Sequence, residues 1–218
     1  MVEKVHAIVL TGGSAYGLDA ASGVMAALEE EGVGLPVSEQ TVVPIVPAAV
    51  LFDLNVGSSS VRPGVNWGYE AAQQANDSPI TSGNVGAGMG ATVGKLLGST
   101  RATKGGLGSA RIDLDNGVIV SALVAVNAVG EIVDTVSNTV VAGIRANDVG
   151  QYDSAIDVAL GSPAKIPVVG TNTTLGLIAT NANLSKAQLK KVAEMAHDGM
   201  ARAIRPIHTQ FDGDTVFA

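Results

Sequence analysis

Two hydrophobic rhythms alternate along this chain. Apolar runs of strand length give way to segments repeating every three or four residues, and glycine-rich polar breaks stand between them. Residues 5–10 predict a strand that runs into Thr11, Gly12, Gly13, Ser14, Ala15, Tyr16 and Gly17. A helix is predicted over about 14–31, with Leu18, Ala21, Met25 and Leu28 along one face and Gly32 past its end. Residues 41–54 are apolar and β-branched, but Pro44 and Pro47 cannot donate to a ladder, which predicts an edge, a bulge or two short strands. A short helix is expected over 67–76. Asn116-Gly117 between apolar runs predicts a hairpin of 110–114 with 118–126. A second turn at 127–130 would carry the meander into 131–134. Residues 135–165 are mixed and poorly periodic, as a long exposed connector would be. Ser185 caps a predicted helix reaching about 204, with Leu189, Val192, Ala196, Gly199, Met200 and Ala203 inward and Pro206 beyond it.

The pattern is most unusual at 167–181, PVVGTNTTLGLIATN. An apolar run passes through Gly170, Thr171, Asn172, Thr173 and Thr174 into a second apolar run, which predicts a buried strand entered from a polar break. Polar side chains taken out of water must find partners or do chemistry. A turn is one reading, since Gly, Asn and Thr suit it. The other is chemical: a Thr after Asn can attack the Asn carbonyl through its hydroxyl and cut the chain. The freed α-amine of the new terminal Thr then serves as base for its own hydroxyl.

Composition narrows the setting. The length of 218 residues suits one α/β domain spanning 1–218. Charged residues are 15% and hydrophobics 46%, which leaves few solubilising groups and predicts a homo-oligomer. A net charge of -7 without a basic stripe argues against nucleic acid as a partner. With no Cys there are no disulfides, thiolate metal sites or Cys nucleophiles. No apolar run reaches a membrane span, and the first nine residues lack a signal peptide's regions, so a soluble cytoplasmic protein is expected.

Several polar groups remain as candidates. The Gly12-Gly13 break before a helix departs from both nucleotide-binding spacings. It fits close helix packing, or an anion held by free backbone N–H groups. Five glycines between 82 and 95 invite close backbone approach, and Lys95 is that run's only charge. Lys95 reads either as a surface lysine snorkelling from an apolar patch or as a pocket lysine that stabilises negative charge. Asn127 reads first as a turn residue. His208, Asp212 and Asp214 fall within seven residues, but no further ligand-spaced cluster supports a metal, and no cofactor is expected. They read as a turn around Gly213 or as carboxylates that orient a catalytic amine.

The stretches TGGSAYGLDAASGV, GAGMGATVGK, VNAVGEIVD, GTNTTLGLIATN and RPIHTQFDGDTVFA together resemble the N-terminal-nucleophile hydrolases of the β-aminopeptidase and D-aminopeptidase group. NTT and HTxxDGDTxFA are most similar to the branch of nylon-oligomer (6-aminohexanoate oligomer) hydrolases. The resemblance implies an αββα sandwich, self-cleavage between Asn172 and Thr173, and Thr173 as nucleophile with its amine as base. It implies Lys95 and Asn127 beside the reacting carbonyl, Asp212 and Asp214 supporting the nucleophile, and Phe52, Tyr16 and Gly88 at the substrate. It also implies a tetramer of cleaved protomers acting on small linear amides. An aminopeptidase, an acyltransferase of the ornithine acetyltransferase type and a non-catalytic assembly protein remain alternatives. Nylon-hydrolase relatives carry Tyr where this chain has Phe52, and family members extend on both sides, so a shortened chain is expected.

Overall fold

The computed structural model of the chain describes residues 2–161 and 171–218. Its centre is a four-stranded sheet in the spatial order Thr215–Phe217, Thr173–Thr180, Ile119–Asn127, Gly106–Asp113. The predicted hairpin forms its edge. Gly117 takes φ 79°, Leu114 N–H donates to Val118 O at 2.8 Å, and Asn116 Oδ1 accepts from Val118 N–H. Thr173–Thr180 runs antiparallel to Ile119–Asn127, with Thr173 opposite Asn127, and parallel to Thr215–Phe217.

Side chains alternate across a strand, so the sheet carries a core on each face. On one face Ala125 and Leu175 pack with Leu51, Ala87 and Ala91. That core is closed by Leu10 and Ala49 of a parallel pair, Val9–Thr11 with Ala48–Val50. Beyond the pair stand α1 (Ala20–Glu30) and α2 (Val65–Gln73), packed on each other. On the other face Val126 and Val216 pack with Val93, Ala128, Met200 and Ile204, under the helix Lys186–Ala203. The layers therefore run helices, sheet, sheet, helix, the expected αββα order. No helix of the described residues is long and apolar enough to cross a membrane.

The proline-interrupted segment forms two short pieces, Val42–Val43 and Ala48–Val50, as its missing donors require. Other expectations give way to tertiary packing. The predicted first helix opens as a 3-10 turn, Ser14–Asp19, because Gly13 and Ser14 both take positive φ at its start. The meander stops at Asn127. Glu131–Val133 turns away to pair with Val140–Ala142 and Ile204–Arg205 in a separate sheet. Gly130 permits this turn, since a Cβ there would strike the backbone of Arg205 and Pro206. The expected exposed connector is structured through residue 161. It holds three short strands and the helix Ala155–Gly161, and Ile144 and Ala155 are fully buried against Leu96 and Val129. Strands of two or three residues leave no period to read. Residues 162–165, and the apolar run Pro167, Val168, Val169 and Gly170, lie outside the described residues.

Ser185 caps its helix as predicted, in a reciprocal box with Gln188. Of the six predicted inward positions Met200 is buried and Gly199 is exposed. The pairing of α1 with α2 depends on two glycines: a Cβ on Gly68 would strike the Ala20 carbonyl, and one on Gly23 the Val65 carbonyl. Gly68→Ala is expected to lower stability by about 1 to 3 kcal/mol, read as a reduced urea midpoint, because the helices must separate to admit one methyl group.

Candidate active site

The strand register sets the site. Asn172 makes a parallel bridge with Asp212, which brings the Asp212-Gly213-Asp214 turn alongside the start of Thr173–Thr180. The Thr173 hydroxyl donates to the Asn172 carbonyl oxygen at 2.6 Å. That oxygen also accepts from Gly213 N–H at 2.7 Å. A polarised carbonyl therefore lies beside a buried hydroxyl, and the N–H stands where negative charge would form if the carbonyl were attacked. Gly213 has no Cβ, and one would sit 2.9 Å from Thr173 Oγ1.

Two carboxylates brace this arrangement, each through partners of its own. Asp214 Oδ1 accepts from Thr174 N–H at 2.7 Å, and its Oδ2 lies 2.8 Å from His208 Nδ1. His208 Nε2 in turn lies 3.3 Å from His197 Nδ1 on the surface. Asp212 Oδ2 accepts from the Thr209 backbone and hydroxyl, at 3.0 and 2.6 Å. Burial pushes the Asp212 carboxyl above the usual carboxylate range; the Thr209 hydroxyl opposes the rise and the charge of Asp214 adds to it.

Lys95 points inward, and the surface reading of it falls. Its Nζ donates to Asn127 Oδ1 at 2.8 Å, to Asn127 O at 2.9 Å and to Thr171 O at 3.3 Å. Three acceptors match the three protons of an ammonium. Burial nevertheless pulls its pKa down to about 7, with the Asp212 charge resisting. Asn127 is a fully buried strand end and not a turn residue. Its Oδ1 also accepts from Thr92 N–H, and its Nδ2 donates to the Phe52 carbonyl at 3.0 Å. Asn127 thus fixes the Lys95 head and ties it to segment 52, and its amide is not aimed at the Asn172 carbonyl.

The three expected substrate residues separate. Phe52 joins the cluster through its carbonyl. Tyr16 is 59% exposed, with the Arg62 guanidinium 3.8 Å above its ring. Gly88 is buried, and a Cβ there would strike Leu107 N, so its backbone packs directly on a strand. Sequence reasoning missed Gly213 N–H as a donor and Thr209 as a partner of Asp212. The Gly in DGD was visible as a turn; the bridge that delivers its N–H joins segments forty residues apart and leaves no local trace. Two buried oxygens, Asn172 Oδ1 and Thr174 Oγ1, have no hydrogen-bond partner among the described residues.

Comparison with known proteins bears on this cluster. The model of Peptidase family S58 matches residues 1–218. An uncharacterized aminopeptidase of Mycobacterium leprae is 45% identical over 235 residues, covering 100% of this chain and 60% of the relative. A 6-aminohexanoate-oligomer endohydrolase of Paenarthrobacter ureafaciens is 35% identical over 226 residues, covering 98% of this chain and 59% of the relative. The chain thus spans about 60% of the length of the curated relatives it matches. Among solved structures, the L-aminopeptidase D-Ala-esterase/amidase of Ochrobactrum anthropi, described as a variant of the Ntn hydrolase fold, is similar with a TM-score of 0.56 and 16% identity. That match covers 91% of this chain and 50% of the other, and it speaks for the fold. With αββα layers and a family match over its whole length, the chain belongs to peptidase family S58.

Proposed function

We propose that this protein is a self-processing amide hydrolase with Thr173 as its N-terminal nucleophile. The observation that carries the reading is the convergence of Thr173 Oγ1 and Gly213 N–H on the Asn172 carbonyl. Thr173 Oγ1 attacks the Asn172 carbonyl carbon, and Gly213 N–H holds the oxyanion. The bond from that carbon to Thr173 N then breaks, with the hydroxyl proton passing to the nitrogen. Water hydrolyses the resulting ester, leaving an Asn172 carboxylate and a Thr173 that carries a free α-amine and a restored hydroxyl.

Departure of residues 171 and 172 frees two donors at once, the Lys95 N–H now on Thr171 O and Gly213 N–H. Both then face a substrate carbonyl at the same nucleophile, with the Thr173 amine as base. Linear aliphatic amides fit this role, and the relative named as a 6-aminohexanoate-oligomer endohydrolase supports such substrates. A labelled acyl donor offered with and without an amine acceptor separates hydrolysis from acyl transfer. A panel of 6-aminohexanoate oligomers, β-alanyl amides and α-aminoacyl amides ranks the substrates; turnover of the α-aminoacyl amide alone would leave an ordinary aminopeptidase.

Intact mass is the direct test of processing. Incubation at neutral pH is expected to yield fragments 1–172 and 173–218, and a chain still whole after prolonged incubation counts against the reading. Gly213→Ala is expected to slow cleavage roughly hundredfold, because its methyl group displaces the attacking oxygen while keeping the N–H. Wild-type cleavage in that variant would remove Gly213 from the mechanism.

A further inference from the structure

A cavity that no residue of the Thr173 cluster lines has no part in the chemistry above. It measures about 950 Å³ and opens between the Val9–Thr11 strand, α1 and α2. Its walls are mostly apolar, with Ile8, Val24, Leu28, Trp67, Ala71 and Met89 among them. One carboxylate, Asp53, lines it. Asp53 Oδ1 accepts from Gly13 N–H at 2.7 Å, while Oδ2 has no hydrogen-bond or ion-pair partner among the described residues. Two further lining residues, Gly12 and Gly90, make room for it, since a Cβ on either would collide with Oδ2.

The other polar groups nearby do not neutralise this oxygen. His6 Nδ1 already accepts from Ile45 N–H. Lys104 is near enough to feel Asp53, but its Nζ donates to the carbonyls of Met89 and Ala91, at 2.7 and 3.0 Å. A metal is a poor occupant, as no group of three or more His, Asp or Glu among the described residues could hold one. An open carboxylate oxygen in an apolar cavity asks for a ligand with a cationic head and an aliphatic body.

We infer that this cavity binds a primary alkylammonium group, with the aliphatic chain against α1 and α2 and the ammonium on Asp53 Oδ2. Chain neighbours of two lining residues connect the wall to the Thr173 cluster. Phe52, next to Asp53, accepts from Asn127 Nδ2, and Thr92, two residues past Gly90, donates to Asn127 Oδ1. An acyl chain whose amine sits on Asp53 would thus lie against segments that also grip Asn127; this link to turnover rests on the amide-hydrolase reading, whereas the binding site does not.

The test is calorimetric titration of the wild-type protein and Asp53→Asn with hexylammonium chloride, butylammonium chloride and 1-hexanol at fixed ionic strength. Asn keeps the acceptor for Gly13 N–H and removes the charge. Hexylammonium is expected to bind roughly tenfold or more tightly than hexanol, and Asp53→Asn to erase that preference. Each added methylene should tighten binding up to about fourfold. Absent hexylammonium binding, equal affinity for amine and alcohol, or a preference that survives Asp53→Asn overturns the site. If Asp53→Asn fails to fold, Ala71→Phe narrows the cavity from an exposed helix position and should weaken both ligands; unchanged affinity there also overturns it. Asp53-dependent binding in a protein that neither cleaves itself nor hydrolyses amides would leave the site standing and sink the hydrolase. Amide turnover that hexylammonium does not inhibit competitively would sink the link between them.

Discussion

Thr173→Ala is expected to remain one chain at every pH and to hydrolyse no amide. The variant keeps the strand, the Asn172 bridge to Asp212 and the Gly213 N–H on the Asn172 carbonyl, and loses only the oxygen that lies 2.6 Å from that carbonyl. Loss of a nucleophile that acts with its own base typically costs on the order of a millionfold in turnover. Thr173→Ser retains the oxygen and should still cut, with a less restricted rotamer and a slower rate. Intact mass reads cleavage, and amide turnover reads the second role. A Thr173→Ala protein that still divides between Asn172 and Thr173 would show that another group attacks the bond. One that stays whole but hydrolyses amides at the wild-type rate would separate the site of turnover from Thr173.

Much of this was legible in the chain where the signal was local. Asn116-Gly117 gave the hairpin because a two-residue turn needs positive φ at Gly117. Pro44 and Pro47 split their segment because a missing donor acts at its own position, and Ser185 with Gln188 gave the cap for the same reason. Thr171 to Thr174 marked the cluster, since four polar side chains before an apolar run had to be accounted for. What could not be read depends on pairing across the fold. The direction of Glu131–Val133 is decided by its fit to Ile204–Arg205, and the role of Asn127 by three partners from residues 52, 92 and 95. The resemblance placed Asn127 beside the reacting carbonyl, and the register does put it opposite Thr173, yet its side-chain amide grips Phe52.

Lys95→Met is expected to remove a rise of stability with pH and to lower amide turnover by roughly a hundredfold to a thousandfold, the usual loss with an oxyanion donor. The stability effect follows from linkage. Burial holds the Lys95 ammonium at about 7 in the folded chain against its ordinary 10.5, so between those limits the unfolded chain carries a proton that the folded chain lacks. Stability must then rise with pH across that window. Below about 7 both states are protonated and the burial penalty stands in full. Between pH 7 and pH 9 this one group should stabilise the wild-type protein by about 2 kcal/mol, read as a higher urea midpoint at pH 9. The stability of the variant at one pH mixes opposite effects: Met relieves the buried charge but leaves the Asn127 and Thr171 acceptors short of a donor, at about 1 to 3 kcal/mol. The slope against pH isolates the lysine, because neither packing nor the orphaned acceptors titrate there. A slope that survives in Lys95→Met would assign it to another group, and wild-type turnover in that variant would return Lys95 to a structural strut that holds Asn127 beneath the strand.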